Sequence, residues 1–245
     1  MIMVIVAMQK TEQILVSSDS DSIQETHWEM AAKTRMGKYL TQVEIAFIAK
    51  AVDFSKTEGG LVLDVGAESG RISLFALNTK TDVVSIDIDR GSLKRLKQRT
   101  KQAYIVVADA RKLPFNSDVF DAAFMIEVLD YIPELEVALN ECNRTLKLNS
   151  NCVLSFGNKS SFKAKLKGLK GKSYLHSHRE VMQNLPKTGF CLHAQLGYNW
   201  LPFGRISQNS LVPILAWLEW AFGLRRLRRY SPWVMFHVVK QSNKK

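Results

Sequence analysis

Short apolar runs alternate with amphipathic stretches through the middle of the chain, and this rhythm predicts the architecture. Leu61–Val65, Val83–Ile86, Tyr104–Ala108, Ala122–Ile126 and Cys152–Phe156 are apolar almost throughout, as strands covered on both faces should be. Ile72–Leu77, Ser92–Lys101 and Glu134–Leu146 fall between them and read as helices. Strands that alternate with helices predict an α/β fold, a mostly parallel sheet with helices on both faces. Cys191–Gly197 and Val234–Val239 alternate as two further strands, which makes the sheet seven-stranded. Upstream, His27–Phe54 reads as one helix, because Val43, Phe47, Ile48 and Ala51 recur at three- and four-residue spacing without proline. Arg179–Thr188 reads as a helix closed by Gly189.

The ends of the chain break this rhythm. Met1–Met8 is apolar but short, with no basic residue before it, so it predicts an edge strand or frayed end rather than a signal peptide. Ser17–Ser22 reads as a polar, acidic lead-in. Asn158–Lys172 holds six lysines and predicts a loop or a short basic helix. Gly197–Phe203 is aromatic-rich, with Arg205 just beyond, and reads as an acceptor pocket, a lid or a packed connection. Leu211–Leu224 carries Trp217 and Trp220, is apolar nearly all round, and leads into Arg225, Arg226, Arg228 and Arg229. It predicts a core-covering helix with a solvated basic end, and a membrane-surface helix is the alternative. No apolar run reaches the roughly 18 residues that span a bilayer.

Charge sharpens the division. Residues 151–245 carry 16 Lys or Arg against two acids, whereas residues 1–150 carry 18 against 21. The basic part suits an anionic partner such as phospholipid, lipid-linked phosphate, acidic sugar or RNA, although a solvated basic face has the same composition. Cys142, Cys152 and Cys191 are widely spaced, offer neither a metal cluster nor a disulfide framework, and predict a reducing, cytoplasmic setting.

The chemistry gathers where predicted strands end. The first ends in Asp64-Val65-Gly66-Ala67-Glu68-Ser69-Gly70-Arg71. Gly66 can take backbone angles closed to other residues and lets a ligand approach the main chain. Gly70 is expected to let the next helix pack closely on the strand. The second strand ends in Asp87-Ile88-Asp89, where a carboxylate can accept from both ribose hydroxyls of a nucleoside. The third ends in Asp109-Ala110-Arg111, within reach of an adenine amino group, and the fourth in Ile126–Tyr131. A nicotinamide fold would require G-x-G-x-x-G, which Gly66–Gly70 does not fit. Glu68 would also repel a pyrophosphate, whereas a cationic sulfonium tolerates Asp64 and Glu68.

With these motifs in order, the chain resembles class I S-adenosylmethionine (SAM)-dependent methyltransferases of the broad type 11 group, from about residue 34 to 240. The segments that carry the resemblance are Leu61–Arg71, Val84–Asp89, Asp109-Ala110 with Leu113-Pro114-Phe115, Asp121–Tyr131 and Arg144-Thr145-Leu146-Lys147. The resemblance implies a Rossmann-like fold and SAM as cofactor. Asp64, Gly66, Ala67, Glu68 and Gly70 would lie at its amino-acid part. Asp87 would hold the ribose, Ile88 would pack on the adenine, and Asp109 and Ala110 would meet that ring. Glu127 would face the methyl donor. Arg35 and Tyr39, in a stretch upstream of the first motif, become candidate contacts to the SAM carboxylate.

Three departures stand out. Glu68 replaces the middle glycine of D-x-G-x-G-x-G, and Asp130-Tyr131 replaces a common histidine pair. Asn149-Ser150-Asn151 replaces a Pro-Gly-Gly turn and still favours a turn. Asp130, Tyr131, His176 and His178 are the candidates for a general base if the acceptor needs one. The domain reading is a lead-in over residues 1–33, then a methyltransferase domain over 34–245 with acceptor-side insertions at 158–233. The acceptor is expected to be a small molecule or lipid-type compound, with peripheral contact to an anionic membrane through the basic carboxyl-terminal part. RNA methylation ranks lower, since no Asn-Pro-Pro-aromatic motif or RNA-binding module is present. A non-catalytic SAM-binding module is the remaining alternative, and no metal is expected.

Overall fold

The computed structural model describes residues 25–55, 58–166 and 175–242. The apolar run Met1–Met8, the acidic stretch Ser17–Ser22 and residues 167–172 of the lysine-rich segment lie outside the described residues.

The expected single helix over 27–54 is two helices, α1 (His27–Lys33) and α2 (Arg35–Ala51). Thr34 breaks it. Its backbone is extended, and its hydroxyl accepts from the Gly37 N–H, the side-chain cap that starts a new helix. Thr26 begins α1 with a capping box to Glu29. That Thr-x-x-Glu spacing was a signal in the sequence for a start at His27.

The chain then alternates as expected: β1 (Leu61–Val65), α3 (Arg71–Leu77), β2 (Asp82–Asp87), α4 (Arg90–Arg99), β3 (Tyr104–Val107), β4 (Phe120–Met125), α5 (Leu135–Thr145) and β5 (Leu146–Gly157). The short α6 (Phe162–Leu166) opens the basic segment. The helix expected over 179–188 is α7 (His178–Asn184), followed by a 3-10 turn that starts at Pro186. Gly189 closes that turn with φ 74°. The last elements are β6 (Phe190–Tyr198), α8 (Val212–Ala221) and β7 (Trp233–Lys240).

The seven strands lie in the order β3-β2-β1-β4-β5-β7-β6. The first five are parallel, and β7 runs antiparallel between β5 and β6. Alternate strand residues feed opposite cores. Leu63 and Val65 face a core built with Leu135, Leu139 and Val181, while Val62 faces one built with Leu40, Ile48 and Ile72. This is the predicted Rossmann-like, two-faced arrangement.

One local expectation is corrected and two are refined. Asn149 to Asn151 form no turn: β5 runs through them, and an irregularity opposite Phe120–Ala122, with Asn149 at φ 62°, absorbs the change of direction. Cys142 and Cys152, separated in sequence, meet in space. Because β5 follows α5 directly, their buried sulfurs lie 3.7 Å from each other as thiols. Finally, α8 covers the core with one side only, through Val212, Leu215 and Ala216, and its basic end is exposed as expected. It turns Val212 and Glu219 inward and leaves Ile214, Trp217 and Trp220 exposed.

Candidate active site

A cleft of about 820 Å³ opens at the carboxyl ends of β1, β2 and β4, where parallel α/β sheets hold their ligands. The loop after β1 forms its floor. Gly66 has φ 71°, and a Cβ there would come 2.6 Å from the Val128 side chain. Gly70 has φ 91° and caps α3, and a Cβ there would come 2.2 Å from Leu96 Cδ1. The close packing that requires glycine at 70 is thus with α4, not with the strand as the sequence suggested.

Glu68 stands at φ 49°, in the left-handed region that glycine would occupy without strain. Its N–H donates to Asp87 Oδ2 at 2.8 Å, and its carboxylate accepts from the Thr26 hydroxyl. The half-buried side chain thus ties the start of α1 to the loop at the edge of the cleft. Burial pushes the Glu68 carboxyl above its usual range. α1 is held from a second side by the nearly buried Glu29, 2.6 Å from Arg99 and 2.9 Å from Arg95 on α4. α1 lies across the glycine loop as a strap.

Asp87 sits at the end of β2. Its two oxygens accept from the N–H groups of Glu68 and Asp89, each at 2.8 Å. This fixes the carboxylate and leaves further lone pairs directed to the cleft. Ile88, next to it, is 71% exposed on the cleft wall. Asp109 lines the same wall but is paired with Arg111, whose Nη2 lies 2.6 Å from Oδ2. The bonds from Arg111 hold the Asp109 carboxyl below its usual range. Ala110 lies beside it on the lining.

Asp64 reaches the cleft floor but is buried, with the Ser73 hydroxyl donating to it at 2.5 Å. Burial outweighs that bond and pushes its carboxyl up to about 6. Its observed bond is structural, tying β1 to α3.

Glu127 stands after β4 at φ 62°, with its N–H donating to the Ser155 hydroxyl. Its side chain belongs to a largely buried cluster that the sequence reading missed. Arg205 pairs with Glu127, Arg71 pairs with Glu44 and lies 3.9 Å from Glu127, and Tyr198 donates to Glu44 at 2.8 Å. Burial alone would raise the Glu127 carboxyl, but Arg205 and Arg71 hold it below its usual range. Burial pushes the Glu44 carboxyl up to about 7 against the opposing pull of Arg71. One signal was available: Glu44 lies four residues from both Leu40 and Ile48, a charge on the apolar face of α2. Arg205 comes from a distant loop, and the sequence marked it only as the arginine beyond an aromatic stretch, with nothing to pair it with Glu127. Its guanidinium lies over the Trp28 ring at 4.7 Å and the Trp233 ring at 5.2 Å.

Among the base candidates, Asp130 and Tyr131 line the cleft. Asp130 is buried, accepts from the Gly157 N–H at 2.8 Å, and has its carboxyl pushed up to about 8 by burial. His176 and His178 do not line the cleft. His176 Nε2 meets the Ile132 carbonyl at 2.8 Å, and His178 Nε2 meets Gln195 at 2.8 Å behind the sheet edge. The upstream candidates are also corrected. Arg35 is exposed and turned to Gln208, while Tyr39 is buried with its hydroxyl donating to Glu219 at 2.6 Å. Helical spacing is the reason: Lys38 and Thr41 take the cleft side of α2, which turns 35 and 39 elsewhere. In Gly197–Phe203, Tyr198 and Leu201 are buried and Trp200 stacks on Phe162, so the stretch is a packed connection.

The fold sets a ligand cleft at the carboxyl edge of a doubly covered sheet. Comparison with known proteins specifies it. Residues 63–154 match the family described as a methyltransferase domain. An uncharacterised protein of Methanocaldococcus jannaschii is 31% identical over 118 residues, which covers 48% of this chain and 49% of that one. A 24-methylenesterol C-methyltransferase of Arabidopsis thaliana is 32% identical over 108 residues, 41% of this chain and 30% of that one. The chain thus spans half or less of the length of these relatives. Among solved structures, magnesium protoporphyrin IX methyltransferase of Synechocystis with bound S-adenosylhomocysteine aligns with TM-score 0.62 at 15% identity, over 89% of each chain. Residues 63–154 thus match a methyltransferase domain, and the whole sheet shares the fold of SAM-dependent methyltransferases.

Proposed function

We propose that the protein transfers the methyl group of SAM to a small-molecule or lipid-type acceptor bound in the same cleft. The observation that carries this reading is the carboxylate of Asp87, fixed by two backbone amides beside the exposed Ile88 at the mouth of β2. That pairing of acceptor oxygens with an apolar platform suits a ribose and its adenine. The donor set suits SAM better than a dinucleotide. The glycine loop is followed by carboxylates, and Glu68 occupies the place where a pyrophosphate would need a bare backbone.

In this reading Asp87 holds the ribose, Ile88 and Ala110 flank the adenine, and the backbone of Gly66–Gly70 lies along the amino-acid end. Lys38, at the cleft edge, supplies the cation toward the SAM carboxylate in place of Arg35. SAM supplies an electrophilic methyl on a sulfonium. The acceptor attacks that carbon, the carbon–sulfur bond breaks, and S-adenosylhomocysteine is left. Alignment of donor and acceptor can provide most of the rate. Any proton released by the acceptor goes to Asp130, the buried carboxylate at the acceptor end of the cleft, when it is ionised.

Trp28, Ile132 and Trp233 give that end of the cleft apolar walls, with Arg205 between the two indoles. Such walls favour an apolar acceptor. The relatives named as sterol methyltransferases support a lipid-type compound. The test has two parts. Calorimetry should show saturable SAM binding, and labelled SAM should transfer its methyl group into one fraction of a cell extract, with organic and aqueous phases counted separately. No SAM binding would end the reading. Binding with label confined to the aqueous phase would keep the transferase and remove the lipid-type acceptor.

A further inference from the structure

The polarity of α8 is inverted for a surface helix. Its one charged residue, Glu219, is buried, accepting from Tyr39 at 2.6 Å, from the Trp200 N–H at 2.9 Å and from Arg225 at 2.9 Å. Val212, Leu215 and Ala216 share that inward side. The opposite side carries Ile214, Trp217 and Trp220, and the chain leaves the helix through Phe222, 76% exposed. Ile206 before the helix and Leu227 and Tyr230 after it are exposed as well. Glu219 cannot turn outward to relieve this pattern, because its three bonds fix the rotation of the helix.

A contiguous apolar surface of this kind marks a place of contact. The charges beside it say with what. Arg226 and Arg229 are exposed and form no ion pair among the described residues. From Val181 to the end of the sequence Glu219 is the only acid, so their own stretch of chain supplies no exposed counter-charge. Indole rings beside arginines suit the boundary of a bilayer. The aromatic rings enter at the headgroup level and the guanidinium groups meet lipid phosphates. A protein partner of matching shape would need both an apolar groove and acidic groups, whereas an anionic bilayer offers both along its whole surface.

The patch is also joined to the cleft. Arg205, inside the cleft, lies nine residues before Ile214 on the patch. Thr34 and Met36 at the start of α2 are bonded to the Arg205 and Ser207 carbonyls, and Tyr39 of α2 holds Glu219. We infer that α8 and the turn after it dock the protein on an anionic lipid surface, with Ile214, Trp217, Trp220 and Phe222 inserted and Arg226 and Arg229 on the headgroups. This docking does not depend on the proposed methyl transfer. If both hold, it sets the cleft beside the membrane that carries a lipid-type acceptor.

Flotation of the purified full chain with vesicles tests the inference. Vesicles of phosphatidylcholine with phosphatidylglycerol should carry the protein at least about tenfold better than phosphatidylcholine alone, with a blue shift in tryptophan emission. Trp217→Ser with Trp220→Ser should abolish binding, and Arg226→Glu with Arg229→Glu should remove the preference for anionic lipid. Both pairs are exposed, so unfolding transitions should match the parent, and SAM affinity, measured separately, should be unchanged. Failure of the parent to float with anionic vesicles would overturn the inference, as would full binding by the tryptophan variant. A concentration-dependent dimer that dissociates in the tryptophan variant, without flotation, would assign the patch to a second copy instead.

Discussion

Arg205, in the loop between β6 and α8, forms an ion pair with Glu127, 78 positions earlier at the end of β4. The pair joins the basic carboxyl-terminal part to the mouth of the sheet. It closes a nearly buried set of two carboxylates and two guanidinium groups, Glu44, Arg71, Glu127 and Arg205. Because the charges balance, each member depends on the others.

Arg205→Ala should therefore cost far more than a surface arginine. Removing one partner of a buried pair leaves the other charge unpaired, at about 3 kcal/mol. Denaturant unfolding measures this. Adding Glu127→Gln to Arg205→Ala should restore part of the loss. Additive losses in the double variant would show that the two residues do not act together.

Glu68→Gly should loosen the strap without unfolding the domain. It relieves a left-handed non-glycine residue, worth roughly 1 kcal/mol, and removes the carboxylate that holds Thr26. The two effects oppose each other, so global stability should change by less than about 1 kcal/mol. Hydrogen exchange in α1 should rise while that in α2 stays the same. Unchanged exchange at Trp28–Ala31 would mean that Glu29, paired with Arg95 and Arg99, holds the strap alone.

Asp87→Ala should weaken SAM binding by more than about tenfold, the loss expected when charge-assisted bonds to a ligand are removed. The same change strips the Glu68 and Asp89 amides of their acceptor. Calorimetric affinity should therefore be compared with the unfolding transition of the same variant. Unaltered affinity would take Asp87 out of the site.

Asp130 predicts a pH effect. Its folded carboxyl is raised to about 8 from an ordinary 3.8, chiefly by burial. A raised group binds its proton more tightly in the folded state. Its stabilisation is complete below about pH 4 and is lost as the pH rises to about 8. Asp130→Asn keeps an oxygen for the Gly157 N–H and cannot ionise. The variant should gain steadily on the parent across that window, by several kcal/mol at pH 8. Unfolding measured from pH 5 to pH 8, roughly the titration range, checks this, and parallel curves for the two proteins would refute it. Glu44, raised to about 7, contributes to both curves alike.

Much of this protein was determined by local pattern. Six of the seven strands, and the second half of β5, are short apolar or alternating runs, so these segments were legible one at a time. The residues at the ends of β1, β2 and β4 were legible for the same reason: a parallel sheet brings successive strand ends to one edge. Helix breaks were less so. Thr34 splits the first helix through a side-chain cap and contacts with a loop some 171 positions away, which periodicity does not report. What only the tertiary structure decided is which side each residue faces. The turn of α2 replaced Arg35 and Tyr39 with Lys38 and Thr41 at the cleft. The packing of β6 and its following loop put Arg205 against Glu127. The three bonds to Glu219 rotated α8 so that its tryptophans face outward. In each case the sequence sets the residue types, but orientation depends on partners far along the chain, and only their packing brings them together.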